Sequence, residues 1–120
     1  MEALLQNIGF KRTWLADGAL GTQLFQGGLK PGECPDILCL DQPELVKSIA
    51  AAYAEAGSDI ISTNTFGASP LKLSEYNLEQ KSAEINRAAV ELVRSSAGDH
   101  IRVAGSCGPC GKMLIPYGDT

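Results

Sequence analysis

Basic residues are scarce in this chain of 120: ten Lys and Arg stand against fourteen Asp and Glu, a formal net charge of −4. Nucleic-acid binders concentrate Lys and Arg on one face, so the balance speaks against a nucleic-acid partner. The N-terminus, Met1-Glu2-Ala3-Leu4-Leu5-Gln6-Asn7, has no basic region ahead of an apolar stretch and does not read as a signal peptide. No run approaches the roughly 20 apolar residues that a membrane span requires. Internal repeats, low-complexity tracts and inter-domain linkers are absent too. These absences point to a cytoplasmic, reducing compartment, where free thiols are the expectation rather than disulfides. Hydrophobic residues make up 44% of the chain, enough for the core of one ordinary domain, so disorder is not the default.

What is present alternates. Thr13-Trp14-Leu15-Ala16 is a short apolar run closed by Asp17-Gly18, the pattern of a strand and its turn. A polar, Gly-rich stretch follows. Over 43–56, Leu45, Val46, Ile49, Ala50 and Tyr53 fall at the spacing of one helical face. Pro43 suits the first turn of that helix and Gly57 the residue just past its end. Asp59-Ile60-Ile61-Ser62-Thr63 predicts a second strand, its paired isoleucines favouring burial on both faces. Ser69 to Tyr76 suggests a short helix with Pro70 in its first turn. A longer helix is expected over 78–97, with Ile85, Ala88, Ala89, Leu92 and Val93 inward and Glu84, Arg87, Glu91 and Arg94 as a solvated face. Ile101-Arg102-Val103-Ala104-Gly105 makes a third strand. Strand, helix, strand, helix, strand is the order of right-handed crossovers in a parallel sheet.

In such folds chemistry gathers at the C-terminal ends of the strands, where successive loops converge. Asp17-Gly18, Thr63-Asn64-Thr65-Phe66 and Ser106-Cys107-Gly108 would then share one rim. An acid there can pair with an ammonium, and glycine amides can donate to a carboxylate, which together suit a small zwitterion. Asp and Asn also serve turns on their own account; the shared rim is what favours a site.

Four cysteines remain. Cys34 and Cys39 have four residues between them, and Cys107 and Cys110 two. Two close pairs can make a structural zinc site, but the helices and strand that separate them favour four small, largely buried thiols. Cys107-Gly108-Pro109-Cys110 has the form of a thioredoxin dithiol. That chemistry needs the pair at a helix N-terminus, and Gly111 with Pro116-Tyr117-Gly118 speaks against a long helix following it.

In order along the chain, Asp17-Gly18-Ala19-Leu20-Gly21-Thr22, Pro43-Glu44-Leu45-Val46, Thr63-Asn64-Thr65-Phe66, Glu84-Ile85-Asn86-Arg87-Ala88-Ala89 and Ala104-Gly105-Ser106-Cys107-Gly108-Pro109 resemble the homocysteine S-methyltransferase family. The resemblance is nearest to the N-terminal homocysteine-binding domain of its cobalamin-dependent members. It implies that residues 1–120 are part of a (β/α)8 barrel, about three βα units of a fold that takes about 250 residues. It implies homocysteine as substrate, methyl transfer to its thiolate giving methionine, and a zinc ion that keeps the thiolate nucleophilic. Asp17 would hold the homocysteine ammonium, with Gly18, Asn64, Thr65 and Phe66 shaping the pocket. The family holds zinc with one cysteine past the middle of the barrel and an adjacent Cys-Cys near its end. This sequence has no Cys-Cys, so no ligand is carried over, no catalytic residue is assigned, and the isolated chain is expected to be inactive. The methyl donor stays open between methylcobalamin with a folate partner, S-methylmethionine and a betaine-like donor. An unpaired sheet edge would favour self-association. Behind this reading stand a small dithiol redox protein and a non-catalytic zinc-bound or self-associating module.

Overall fold

The computed structural model describes residues 13–118; the N-terminal stretch read above lies outside them. Among the described residues five α-helices and two strands follow one another: α1 (Gly21–Gln26), α2 (Leu38–Asp41), α3 (Pro43–Glu55), β1 (Ile60–Ser62), α4 (Pro70–Leu73), α5 (Ser82–Ala97) and β2 (Arg102–Ala104). Two 3-10 turns, Ser74–Tyr76 and Glu79–Lys81, lie between α4 and α5.

The sheet is parallel, as the alternation requires. β1 pairs with β2 in the register Ile60 to Arg102, Ile61 to Val103 and Ser62 to Ala104. On its other side β1 meets the first apolar run through a single parallel bridge, Ala16 to Ile60. The expected first strand is thus reduced to one rung, because the Leu15 amide donates to the Asp59 carboxylate at 2.9 Å instead of to a carbonyl. Strand order is therefore first run, β1, β2, which brings all three C-terminal ends to one edge.

The helices cover one face. Ile61 points into a cluster with Ala50 of α3, Val93 and Ala97 of α5, and Ile101. Ile60 and Ser62 alternate with it and are only half-buried, so the expectation of a strand buried on both faces is not met. A second core joins Leu24, Leu38, Val46, Ile49, Leu73, Ile85 and Ala89. Fully burying one such side chain as Ile85 is worth about 1.5–3 kcal/mol.

α3 and α5 carry the stripes that their periodicity predicts. α5 begins later than 78, because Ser82 and Asn86 direct their side chains to the Ala68 carbonyl at 2.6 and 3.0 Å, and Glu79–Lys81 winds as a 3-10 turn before them. The expected helix over 69–76 is split into α4, capped by Ser69 onto the Lys72 amide at 3.2 Å, and the 3-10 turn Ser74–Tyr76. α1 and α2 are absent from the sequence reading. They are four to six residues long and depend on burial of Leu24, Leu38 and Cys39, not on a repeating pattern.

Candidate functional site

Asp17 follows the Ala16 bridge and is half-buried at the end of the first run. Its carboxylate faces β1: Oδ2 accepts from the Ser62 amide at 2.9 Å and Oδ1 from the Ser62 hydroxyl at 3.1 Å. Each carboxylate oxygen has a second lone pair, so the group keeps acceptor capacity for a cation. Gly18 lies against Tyr53 of α3, where a Cβ would stand 3.2 Å from the phenol oxygen. That phenol donates to the Ala19 carbonyl at 2.6 Å and holds the turn in place.

The loop after β1 is anchored on both sides. Thr63, Asn64 and Thr65 are buried, whereas Phe66 is 64% exposed. Toward β2 the hydroxyls close a ring. The Ser106 amide donates to Thr63 Oγ1 at 3.1 Å, Thr63 and Thr65 Oγ1 share a proton at 2.7 Å, and Thr65 Oγ1 donates to the Ser106 carbonyl at 2.8 Å. Only one sense of donation satisfies all three contacts, with Thr63 donating to Thr65. Both hydroxyl protons are then engaged inside the protein. Toward α2, Asn64 Nδ2 donates to the Pro35 carbonyl at 2.8 Å, and Cys39 Sγ donates to the Asn64 carbonyl at 3.4 Å.

Three hollows surround this loop. The first, about 390 Å³, is lined by Leu20, Leu24, Asp36, Asn64, Phe66 and Tyr76 among others. The second, about 370 Å³, includes Thr63, Thr65, Phe66, Asn86, Ser106 and Cys107. The third, about 10 Å³, brings Asp17 and Asn64 together with Ser62. Of the five expected residues, Asp17, Asn64, Thr65 and Phe66 are therefore spread over three hollows, and Gly18 lines none of them. Asn64 joins the Asp17 cleft to the first hollow, and Phe66 is common to the first and second.

Asp36 was not anticipated. It is buried, and its Oδ1 accepts from the Gly67 amide at 3.0 Å while Oδ2 faces Cys34 Sγ at 3.8 Å. A Cβ on Gly67 would stand 2.9 Å from Oδ2, so any larger residue there would have to displace the Asp36 carboxylate. Burial pushes the Asp36 carboxyl above the ordinary carboxylate range. An acid set directly before Ile37-Leu38 is the signal that could have found it. Burial likewise raises the Cys34 thiol and pushes Cys39 up to about 12.

The expectation of four largely buried thiols holds for Cys34 and Cys39 only. Cys107 is exposed and Cys110 half-exposed, because no element covers 105–118, which carries no helix. A thioredoxin-like helix start is therefore missing at the dithiol. Among the described residues no group of three or more His, Cys, Asp or Glu is placed to hold a metal ion. The two cysteine pairs thus do not build a zinc site, and the residues present do not fit the metal that the resemblance implies. No described helix is long and apolar enough to cross a membrane.

Comparison with known proteins follows the same lines. The profile of the homocysteine S-methyltransferase family matches residues 14–120. Methionine synthase of Mycobacterium leprae (strain TN) is 33% identical over 129 aligned residues, covering 98% of this chain and 10% of that protein. The crystal structure of the homocysteine methyltransferase MmuM from Escherichia coli in its oxidized form superposes with a TM-score of 0.75 at 28% identity, covering 89% of this chain and 41% of that one. Its metallated form gives 0.72 at 27% identity, with 88% and 41% covered. The chain spans about a tenth of the curated relative's length.

Proposed function

Because the chain belongs to the homocysteine S-methyltransferase family, we propose that residues 1–120 are the leading part of a (β/α)8 barrel enzyme that methylates homocysteine to methionine. Within it, this segment contributes recognition of the amino-acid end of the substrate. The Asp17 carboxylate accepts from the substrate ammonium, the Gly18 turn lies beside the substrate carboxylate, and Asn64 links the Asp17 cleft to the larger hollow. Thr65, its proton already engaged, holds the loop in shape, and the open ring of Phe66 packs on the thiol side of the substrate.

The observation that carries this reading is the direct tie between Asp17 and Ser62. It fixes an acid at the mouth of the Thr63-Asn64-Thr65-Phe66 loop, with lone pairs to spare. The methyl transfer itself forms the S–CH3 bond at the homocysteine sulfur as the donor bond breaks, and nothing among the described residues acts as its acid, base or nucleophile. The family's zinc and its methyl donor, methylcobalamin among the candidates, are therefore assigned to the enzyme as a whole, which we place in the cytoplasm.

The reading predicts that the purified 120-residue chain, given L-homocysteine and isotope-labelled methylcobalamin, methyltetrahydrofolate, S-methylmethionine or betaine, forms no labelled methionine. Stoichiometric or catalytic labelling would show that the chemistry is complete within this chain and would overturn the division of labour.

A further inference from the structure

We propose that Cys107 and Cys110 are an oxidisable dithiol, a modification site for hydroperoxide-class oxidants, and that its disulfide pulls the Gly108 segment away from Phe66. The motif is unused by the methyl-transfer reading, and the inference stands independently of it.

Selectivity follows from placement. Cys107 is exposed and Cys110 half-exposed, whereas Cys34 and Cys39 are both buried. Oxidation requires a thiolate that the oxidant can reach. Cys39, with its thiol pushed up to about 12 and its proton directed to the Asn64 carbonyl, offers neither. Cys34 is buried beside the Asp36 carboxylate, and that burial first, then the neighbouring negative charge, disfavours its thiolate.

The structural consequence follows from distance. Residues 105–110 run on without turn, bend or helix. A disulfide needs its Cα atoms about 4.4–6.8 Å apart, closer than an unbent run brings residues three apart. Closing the bridge must therefore fold Gly108-Pro109 into a tight turn. In the open form Gly108 lies flush on the neighbouring loop: its amide donates to the Phe66 carbonyl at 3.0 Å, and a Cβ there would be 2.5 Å from that oxygen and 2.9 Å from the ring. A turn at Gly108 cannot keep this contact. The oxidation state of the dithiol is thereby coupled to the loop that carries Asn64, Thr65 and Phe66.

The chemistry balances with hydrogen peroxide as oxidant. One thiolate attacks a peroxide oxygen, breaking the O–O bond and giving a sulfenic acid. The second thiol displaces its oxygen as water. Two thiols and one peroxide become one disulfide and two waters.

The test treats the 120-residue chain with one equivalent of hydrogen peroxide and follows intact mass, peptide mapping after native alkylation, and amide exchange at Gly108. The expected result is a loss of about 2 Da confined to a Cys107–Cys110 bridge, with Cys34 and Cys39 alkylated only after denaturation. Exchange at the Gly108 amide should accelerate at least about tenfold, and Cys110→Ser should keep the slow exchange under the same treatment. A bridge to Cys34 or Cys39, intermolecular bridges, or oxygen addition without bridging would overturn the site. A Cys107–Cys110 bridge with unchanged Gly108 exchange, or faster exchange in Cys110→Ser as well, would overturn the coupling.

Discussion

At the residue scale Asp17 and Asp36 divide two duties that sequence alone does not separate. Asp17 ties the first run to β1 and retains lone pairs; Asp36 is buried and clamps Gly67. An Asn at 17 can accept from the Ser62 amide through Oδ1 and donate to the Ser62 hydroxyl through Nδ2, so Asp17→Asn keeps both contacts while removing the charge. Asp17→Ala loses both. We expect urea denaturation to place Asp17→Asn within about 0.5 kcal/mol of the parent and Asp17→Ala about 1–2 kcal/mol below it. Equal losses would mean that the charge itself holds the turn. For Asp36 the sign is set by burial, which raises its folded carboxyl above the unfolded value. The folded chain then holds that proton to higher pH, so the group's contribution is full below the unfolded value and is lost as pH rises through the folded one. Asp36→Asn carries no such titration. Its stability relative to the parent should climb from about pH 4 upward, as urea midpoints between pH 4 and pH 7 would reveal. A constant offset across that range would show that Asp36 does not titrate between the two states. Asp36→Ala, which leaves the Gly67 amide without its partner, should cost about 1–3 kcal/mol.

The element scale explains what could be read in advance and what could not. α3 and α5 were legible because a helix buried on one face must repeat its apolar residues, and Leu45 to Tyr53 and Ile85 to Val93 do so. β1 was legible from Ile60-Ile61. Its one-sided cover was not, since whether a second layer covers Ile60 is decided by chain far away in sequence. α1 and α2 escaped because tertiary burial of Leu24 and Cys39 outweighs local preference in helices that short. The rim was legible as a set of strand ends, and the separation of its residues into three hollows was not, because that depends on where the Phe66 ring and the Asp36 carboxyl come to rest. The same loop gives an element-level prediction. The Thr63, Thr65 and Ser106 ring joins the end of β1 to the chain leaving β2. Thr65→Val removes its middle hydroxyl at nearly constant volume and should cost about 1–3 kcal/mol, since a donor and an acceptor lose their partners together. The double change Thr63→Val with Thr65→Val should cost less than the sum of the two single changes. Additivity in denaturant midpoints would show that the hydroxyls act independently.

On the scale of the whole molecule, the sheet leaves apolar surface uncovered. The radius of gyration is 15.8 Å, against about 13.6 Å for a compact domain of this length. β2 pairs on one side only among the described residues, and large apolar side chains lie open along 113–117, from Met113 at 63% to Tyr117 at 83% exposed. An open edge beside such surface favours association. Sedimentation velocity should therefore show mass rising with concentration from monomer toward dimer and beyond. A monomer throughout the range would mean that this face satisfies itself, and the partial-barrel reading would lose its main physical consequence.

The proposed recognition of the amino-acid end of homocysteine by this chain can be read by titrating the 15N-labelled chain with L-homocysteine. Saturable shifts are expected at the amides of Asp17, Gly18 and Asn64 to Phe66. Those shifts should weaken about 10- to 100-fold in affinity when Asp17→Asn removes one charge-assisted contact, and they should vanish with N-acetylhomocysteine. Shifts that avoid these amides, or that persist unchanged in Asp17→Asn, would contradict it.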